Sequence, residues 1–168
     1  MKVFTIGTDH RTNYDFARLL MKYGVEVIFD VRRTPEAREE YFRRDGLQAL
    51  AAGQRIDYVF MGNELGGPRE DDYQQWTSAD EFKRGIDIIR TKASKRACCI
   101  LCAERTPENC HRLAIAEHLS KQGIEVVHIL DEKSVWTAPP PRPSSPAPRP
   151  PFRAPRSGRG PWRRPGSR

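Results

Sequence analysis

The sequence predicts an α/β fold, a single domain whose five strands form a mostly parallel sheet, with a disordered tail behind it. Three observations predict this. Short apolar runs alternate with amphipathic stretches over residues 1–136, as in successive βαβ units. A chain of 168 residues has room for one core of ordinary size. The composition then changes abruptly at residue 137.

The strands are expected at Val3–Ile6, Val25–Val31, Ile56–Met61, Ala97–Cys102 and Val126–Leu130. Between the first two, Thr12 and Asp15 form a capping pair, and Phe16, Leu19, Leu20 and Tyr23 share one face before Gly24 ends the helix. Pro35–Ala52 is expected to be helical in part, its period blurred by arginines and Gly46. Another helix starts at Ser78, with Glu81 three residues later and Phe82, Ile86 and Ile89 on its buried side. The last helix is predicted from Thr106 as N-cap, with Pro107 in the first position and Glu108 against the dipole, running to Gln122 with Gly123 after its end. The stretch Gly62–Thr77, "GNELGGPREDDYQQWT", exceeds the usual connection of about 2 to 6 residues and is a candidate lid.

Residues 137–168 hold eleven prolines, eight arginines and no acidic residue. Such a segment cannot bury a core and is expected to be disordered, with polyproline II character. The formal net charge of +7 therefore belongs to the tail, and the body is close to neutral. Arginines interleaved with Phe152 and Trp162 make nucleic acid a possible partner of the tail, through counterion release and stacking; an inert extension fits the same composition. No apolar run is long enough for a membrane span, and "MKVFTIG" enters a strand directly, so a cytoplasmic protein without membrane contact is expected. Four cysteines, two of them adjacent in an apolar run, read as reduced thiols rather than a disulfide framework.

In a parallel α/β sheet, ligands bind outside the carboxyl ends of the strands. Those ends carry Gly7-Thr8-Asp9-His10-Arg11, Asp30-Val31-Arg32-Arg33, Glu64-Leu65-Gly66-Gly67 and Cys102-Ala103-Glu104-Arg105. Polar and ionisable residues are thus expected at one edge. Within "LCAERTPENCHR", Cys102 ends a buried strand, and Cys110, His111 and Arg112 are expected about one turn inside the helix. A thiol facing a helix N-terminus and arginines has its thiolate stabilised, so Cys102 is the candidate nucleophile, whereas Cys98 and Cys99 read as core, with Cys99 on the opposite face. The C-x7-C-H spacing lacks the short C-x2-4-C pair of structural zinc sites, and no metal is expected. No phosphatase-type C-x5-R loop and no Gly-rich phosphate loop is present.

"FTIG", "DVR", "ELGG" and "CAE…P…CHR", in this order and at these separations, resemble the family called domain of unknown function 488, over about residues 2 to 131. The resemblance implies a small three-layer, Rossmann-like domain and carries over, as motif positions, Gly7, Asp30, Arg32, Glu64, Gly66, Gly67, Cys102, Glu104, Cys110, His111 and Arg112. The Thr8-Asp9 pair and the loop after Arg33 depart from the family's pattern.

Two readings of function follow. In one, the domain is a cysteine-containing enzyme or binder for a phosphorylated or nucleotide-type anionic ligand. Arg32 and Arg112 neutralise the anion, Glu104 or Asp30 acts as acid/base or positions an arginine, and Cys102 attacks. Gly7, Glu64, Gly66, Gly67, Cys110 and His111 complete the ligand site. In the other, a non-enzymatic protein binds nucleic acid through the arginine-rich edge and tail. "FDVRRTPE" also resembles the "DVR…E" element of rhodanese domains, which adds sulfur transfer at Cys102 as a variant of the first reading. The cofactor, if there is one, is not indicated.

Overall fold

A computed structural model describes residues 1–67 and 72–137; the predicted tail, apart from Thr137, and the centre of the expected lid lie outside them. The strands are β1 (Lys2–Gly7), β2 (Val27–Asp30), β3 (Asp57–Phe60), β4 (Cys98–Cys102), β5 (Glu125–Ile129) and β6 (Val135–Thr137). They form a six-stranded sheet in the order β3-β2-β4-β1-β5-β6, parallel except for β6. The sixth strand corrects the expected five. It is three residues long and carries no alternating pattern of its own. It exists because the Asp131 carboxylate accepts the N–H groups of Lys133 and Ser134 and turns the chain back onto β5, where Trp136 stacks on His128. Thr137, assigned to the tail by composition, is its last residue.

The helices are α1 (Asn13–Lys22), α2 (Arg44–Gly53), the single turns α3 (Gly62–Leu65) and α4 (Tyr73–Trp76), α5 (Asp80–Ala93) and α6 (Arg112–Lys121); a 3-10 turn spans Glu40–Phe42. Helix α1 forms as expected: the Thr12 hydroxyl accepts the Asp15 N–H, and Gly24 leaves the helix at φ +61°. The partial helix in residues 35–52 resolves into the 3-10 turn and α2. Gly46 is required there because a Cβ would lie 2.4 Å from the Glu40 carbonyl oxygen. Helix α5 begins at Asp80, without a side-chain cap, two residues after the expected start.

The larger correction concerns α6. Thr106-Pro107-Glu108 do not begin it; the helix starts at Arg112, and Pro107 to Cys110 make an isolated turn closed by the Cys110 N–H on the Pro107 carbonyl. Capping chemistry at Thr106 is outweighed by burial of Cys110 and Arg112 against the sheet. Continuous helix from Pro107 would rotate those side chains away.

Two apolar layers cover the sheet. Phe16, Leu19 and Leu20 of α1 and Leu47 and Ala51 of α2 pack on Ile6, Ile28, Cys99, Leu101 and Ile129. On the other face, Phe82, Ile86 and Ile89 of α5 and Ile115, Ala116 and Leu119 of α6 pack on Val3, Val27, Phe29, Cys98, Ile100 and Val126. Cys98 and Cys99 thus face opposite layers, as the strand period requires. The chain moves outward from β1 to β3 with its helices on one face and returns through β4 to β5 with helices on the other. The reversal falls between neighbouring β1 and β4, where Gly7 is registered against Cys102. A ligand crevice is expected outside that point.

Candidate active site

Gly7 is the pivot of this crevice. A Cβ there would lie 1.9 Å from the Glu104 carbonyl oxygen, so only glycine lets the chain after β4 fold across the end of β1. The crossing is held by Thr8 N–H to the Cys102 carbonyl and Asp9 N–H to the Ala103 carbonyl.

Beyond it, three segments bring sulfur, imidazole and carboxylate together. Cys102 Sγ lies 3.2 Å from Glu104 Oε2 and 3.8 Å from His111 Nδ1; Cys110 Sγ lies 3.9 Å from the same nitrogen. The ligand atoms of Cys102, Cys110 and His111 are all within 4.8 Å of one another, so these are the residues able to hold a metal. All four cysteines are free. His111 is fixed through Nε2 to the Val31 carbonyl at 2.9 Å and by the Tyr73 ring, whose centroid is 5.3 Å away.

The two motif thiols differ. The neighbouring Cys110 sulfur, then burial and the Glu104 charge, raise the Cys102 thiol. The neighbouring Cys102, with the nearby His111, lowers the Cys110 thiol and outweighs its burial. Burial alone would raise Glu104, but the nearby Cys110, its own backbone N–H and the Cys102 thiol hold its carboxyl below the usual range. Burial and the Glu104 carboxylate thus disfavour a thiolate on Cys102, while His111 favours one on Cys110. The helix N-terminus expected at Thr106, which would stabilise a Cys102 thiolate, lies instead at Arg112.

Asp30 and Arg32 form a separate, buried unit. Asp30 accepts Arg32 N–H at 3.1 Å, Nε at 2.9 Å, Nη2 at 2.7 Å and the Tyr58 hydroxyl at 2.7 Å, while Arg32 Nη1 donates to the Phe42 carbonyl at 2.8 Å. With Asp30 at 0% and Arg32 at 4% side-chain exposure, each satisfies the other. The unit ties the end of β2 to β3 and the 3-10 turn. Burial and the hydrogen bond to Asp30 raise the Tyr58 hydroxyl, which keeps its proton.

Arg112 is fully buried. Its Nη2 donates to the Arg105 carbonyl, and its Nε and Nη1 have no hydrogen-bond partner among the described residues. It shapes the loop after β4 and does not open to a cleft. Beside it, His128 pairs with Thr5 through Nδ1 at 2.7 Å, and burial followed by the Arg112 charge lowers its pKa to about 4. Thr5 and His128 were not anticipated as a polar pair, although each interrupts an apolar strand.

The ELGG residues act through close packing. The Gly66 N–H caps α3, Gly67 bridges Arg32, and a Cβ on Gly67 would meet the His111 ring at 3.1 Å. The Glu64 carbonyl accepts the Trp76 indole N–H, and the Leu65 carbonyl accepts the Tyr73 hydroxyl. The described parts of the expected lid are thus anchored beside His111.

Among the described residues, several clefts open at this edge. One of about 670 Å³ is lined by residues including Thr8, Arg11, Thr12, Arg32, Arg38 and Glu104. A second of about 490 Å³ is lined by Tyr73, Gln74, Glu104, Asn109, Cys110 and His111 among others. A third, about 590 Å³, shares His10 and Arg11 with the first and adds Arg105. Glu104 borders the first two, so its carboxylate stands between the first cleft and the thiols. Among the described residues, no helix is long and apolar enough to cross a membrane.

The family model described as "Domain of unknown function DUF488" matches residues 13–119 of the chain. That span includes the Asp30-Arg32 unit, the ELGG turn and the whole sulfur-imidazole-carboxylate cluster, while β1 precedes it. No curated protein and no solved structure matches the chain.

Proposed function

The chain belongs to the DUF488 family, and on that premise we propose that it is an enzyme acting on a small phosphorylated or nucleotide-type ligand, with Cys102, Glu104, Cys110 and His111 as its reaction centre. One observation carries this reading: Glu104 Oε2 lies 3.2 Å from Cys102 Sγ and lines both the large cleft and the Cys110 cleft. A carboxylate so placed transfers protons between a bound ligand and the cluster, and the Cys110 sulfur is the electron-rich group facing the ligand. Asp30 positions Arg32, and Arg32 holds the cleft wall; neither exchanges protons with the ligand.

The anionic part of the ligand is met at Arg11 and Arg105, not at Arg32 or Arg112. Burial, then the charges of Arg105 and Arg112, lower the Arg11 pKa, which marks guanidinium groups crowded at one corner. An anion there relieves their repulsion. Sulfur transfer needs Cys102 as an accessible thiolate, and Cys102 is 2% exposed. Binding of nucleic acid along this edge loses Arg32, which is committed to Asp30.

The test is turnover and binding across a panel of phosphate monoesters and nucleotides, followed by mass spectrometry. Glu104→Gln and Cys110→Ser are expected to abolish turnover of whichever compound reacts while leaving the melting temperature within a few degrees. Full activity in Glu104→Gln, or no binding of any panel member, refutes the reading.

A further inference from the structure

We infer that Cys102, Cys110 and His111 form a binding site for a single zinc ion, with Glu104 beside the metal's fourth, ligand-facing position. The inference concerns the same cluster as the proposed reaction centre, but it stands on coordination geometry and does not require the activity.

Zinc–sulfur bonds of about 2.3 Å and zinc–nitrogen bonds of about 2.0 Å in a tetrahedron place sulfur and nitrogen about 3.5 Å apart and two sulfurs about 3.8 Å apart. His111 Nδ1 is 3.8 Å from Cys102 Sγ and 3.9 Å from Cys110 Sγ, with all three atoms within 4.8 Å of one another. Closing onto a metal needs shifts of a few tenths of an ångström on the nitrogen edges and at most about 1 Å between the sulfurs.

The tautomer of His111 suits a metal as well. Both imidazole nitrogens lie within 4.0 Å of Cys102 Sγ. The Val31 carbonyl can only accept a hydrogen bond, so Nε2, 2.9 Å from it, carries the proton. Nδ1 keeps its lone pair for the cluster. A histidine held this way by a backbone carbonyl is the usual support of a metal-bound imidazole. Gly67 leaves the space in which the ring sits, since a Cβ there would press on it at 3.1 Å.

The donor set selects the ion. Two thiols and an imidazole favour zinc over magnesium or calcium, which take oxygen ligands. Three protein ligands beside an accessible fourth position are the arrangement of catalytic rather than structural zinc, and Glu104 borders the cleft there. With zinc bound, both sulfurs are ligands, each having lost its proton to solvent, and proton transfer to the ligand falls to Glu104. The C-x7-C-H spacing hides such a site because the turn from Pro107 to Cys110 brings the second cysteine back over the first.

The experiment uses the full chain purified without chelator. Zinc is expected in stoichiometric amount, and replacing it with cobalt should produce the ligand-field bands of a tetrahedral site together with a thiolate-to-cobalt charge-transfer band. Cys110→Ser and His111→Ala should weaken cobalt binding by more than about 100-fold, whereas Glu104→Gln should weaken it by less than about tenfold. Cys98→Ala and Cys99→Ala should keep the bands. Should a ligand variant not fold, wild-type protein decides: zinc must slow modification of two of the four thiols by a thiol reagent. Absence of zinc with no cobalt bands overturns the inference, as do bands that persist in both ligand variants. Zinc bound without turnover of any phosphorylated compound leaves the metal site standing and removes the proposed function. Turnover by a chain that holds no zinc and shows no cobalt bands does the reverse.

Discussion

Lowering the pH should unfold this protein early because of one histidine. His128 sits in β5 with no exposure, held by Thr5 on one side, stacked on Trp136 and near the Arg112 guanidinium. Burial, then the Arg112 charge, lowers its pKa from 6.5 to about 4. The unfolded chain therefore binds a proton at this site between those values and the folded chain does not. Its stability contribution is complete above pH 6.5 and is lost as pH falls toward 4. The difference in pKa corresponds to about 3 kcal/mol in the limit, and to about 2 kcal/mol between pH 7 and pH 5. Urea titration at a series of pH values measures it, with a melting-temperature drop of roughly 5 to 10 °C over the same interval as a second readout. His128→Asn, which keeps a polar atom near Nδ1 and does not titrate, should lose about 2 kcal/mol less than wild type over that range. Carboxylates titrate mainly below it, and the Cys110 thiol, lowered to about 6, titrates alike in both proteins, so the difference between them isolates the histidine. Parallel losses in wild type and variant would refute the reasoning.

Other perturbations have equally definite outcomes. Asp30→Asn leaves a buried guanidinium without its counter-charge and should cost about 3 to 5 kcal/mol in denaturant unfolding, whereas replacing Asp30 and Arg32 together by apolar residues should cost less than the single change. Gly7→Ala should destabilise by about 3 kcal/mol or more, because the Glu104 carbonyl has nowhere to move; a change within about 0.5 kcal/mol would contradict the crossing at β1 and β4. In chelator-treated protein at pH 7, iodoacetamide should label Cys110 before Cys98, Cys99 and Cys102, since burial raises Cys98 and Cys99, and the neighbouring Cys110 together with burial raises Cys102. Peptide mapping checks the order, and Cys102→Ala should slow labelling of Cys110. Thr12→Ala removes the cap of α1 and should cost about 1 kcal/mol, measured by thermal unfolding.

What could be read from the chain alone is what local pattern controls. Alternation of apolar runs and amphipathic stretches set β1 to β5, α1 and the buried faces of α1 and α5, because burial of one face is decided by the spacing of Phe16, Leu19 and Leu20 or of Phe82, Ile86 and Ile89. The collection of Gly7, Asp30, Arg32, Cys102 and Glu104 at one sheet edge follows from parallel topology alone. Strand β6 escaped that reasoning because a three-residue strand carries no period and depends on the Asp131 turn and on Trp136 reaching His128. The roles within the site depended on tertiary contact as well. Arg32 and Arg112 have the same charge, yet one is spent on Asp30 and the other lies beneath the loop after β4. Capping at Thr106 is a local preference of about 1 kcal/mol; burying Cys110 and Arg112 against the sheet outweighs it and moves the helix start to Arg112. That displacement sets the distances at which Cys110 and His111 turn back onto Cys102: the motif places these residues in one site, but their spacing of eight and nine positions does not give the geometry.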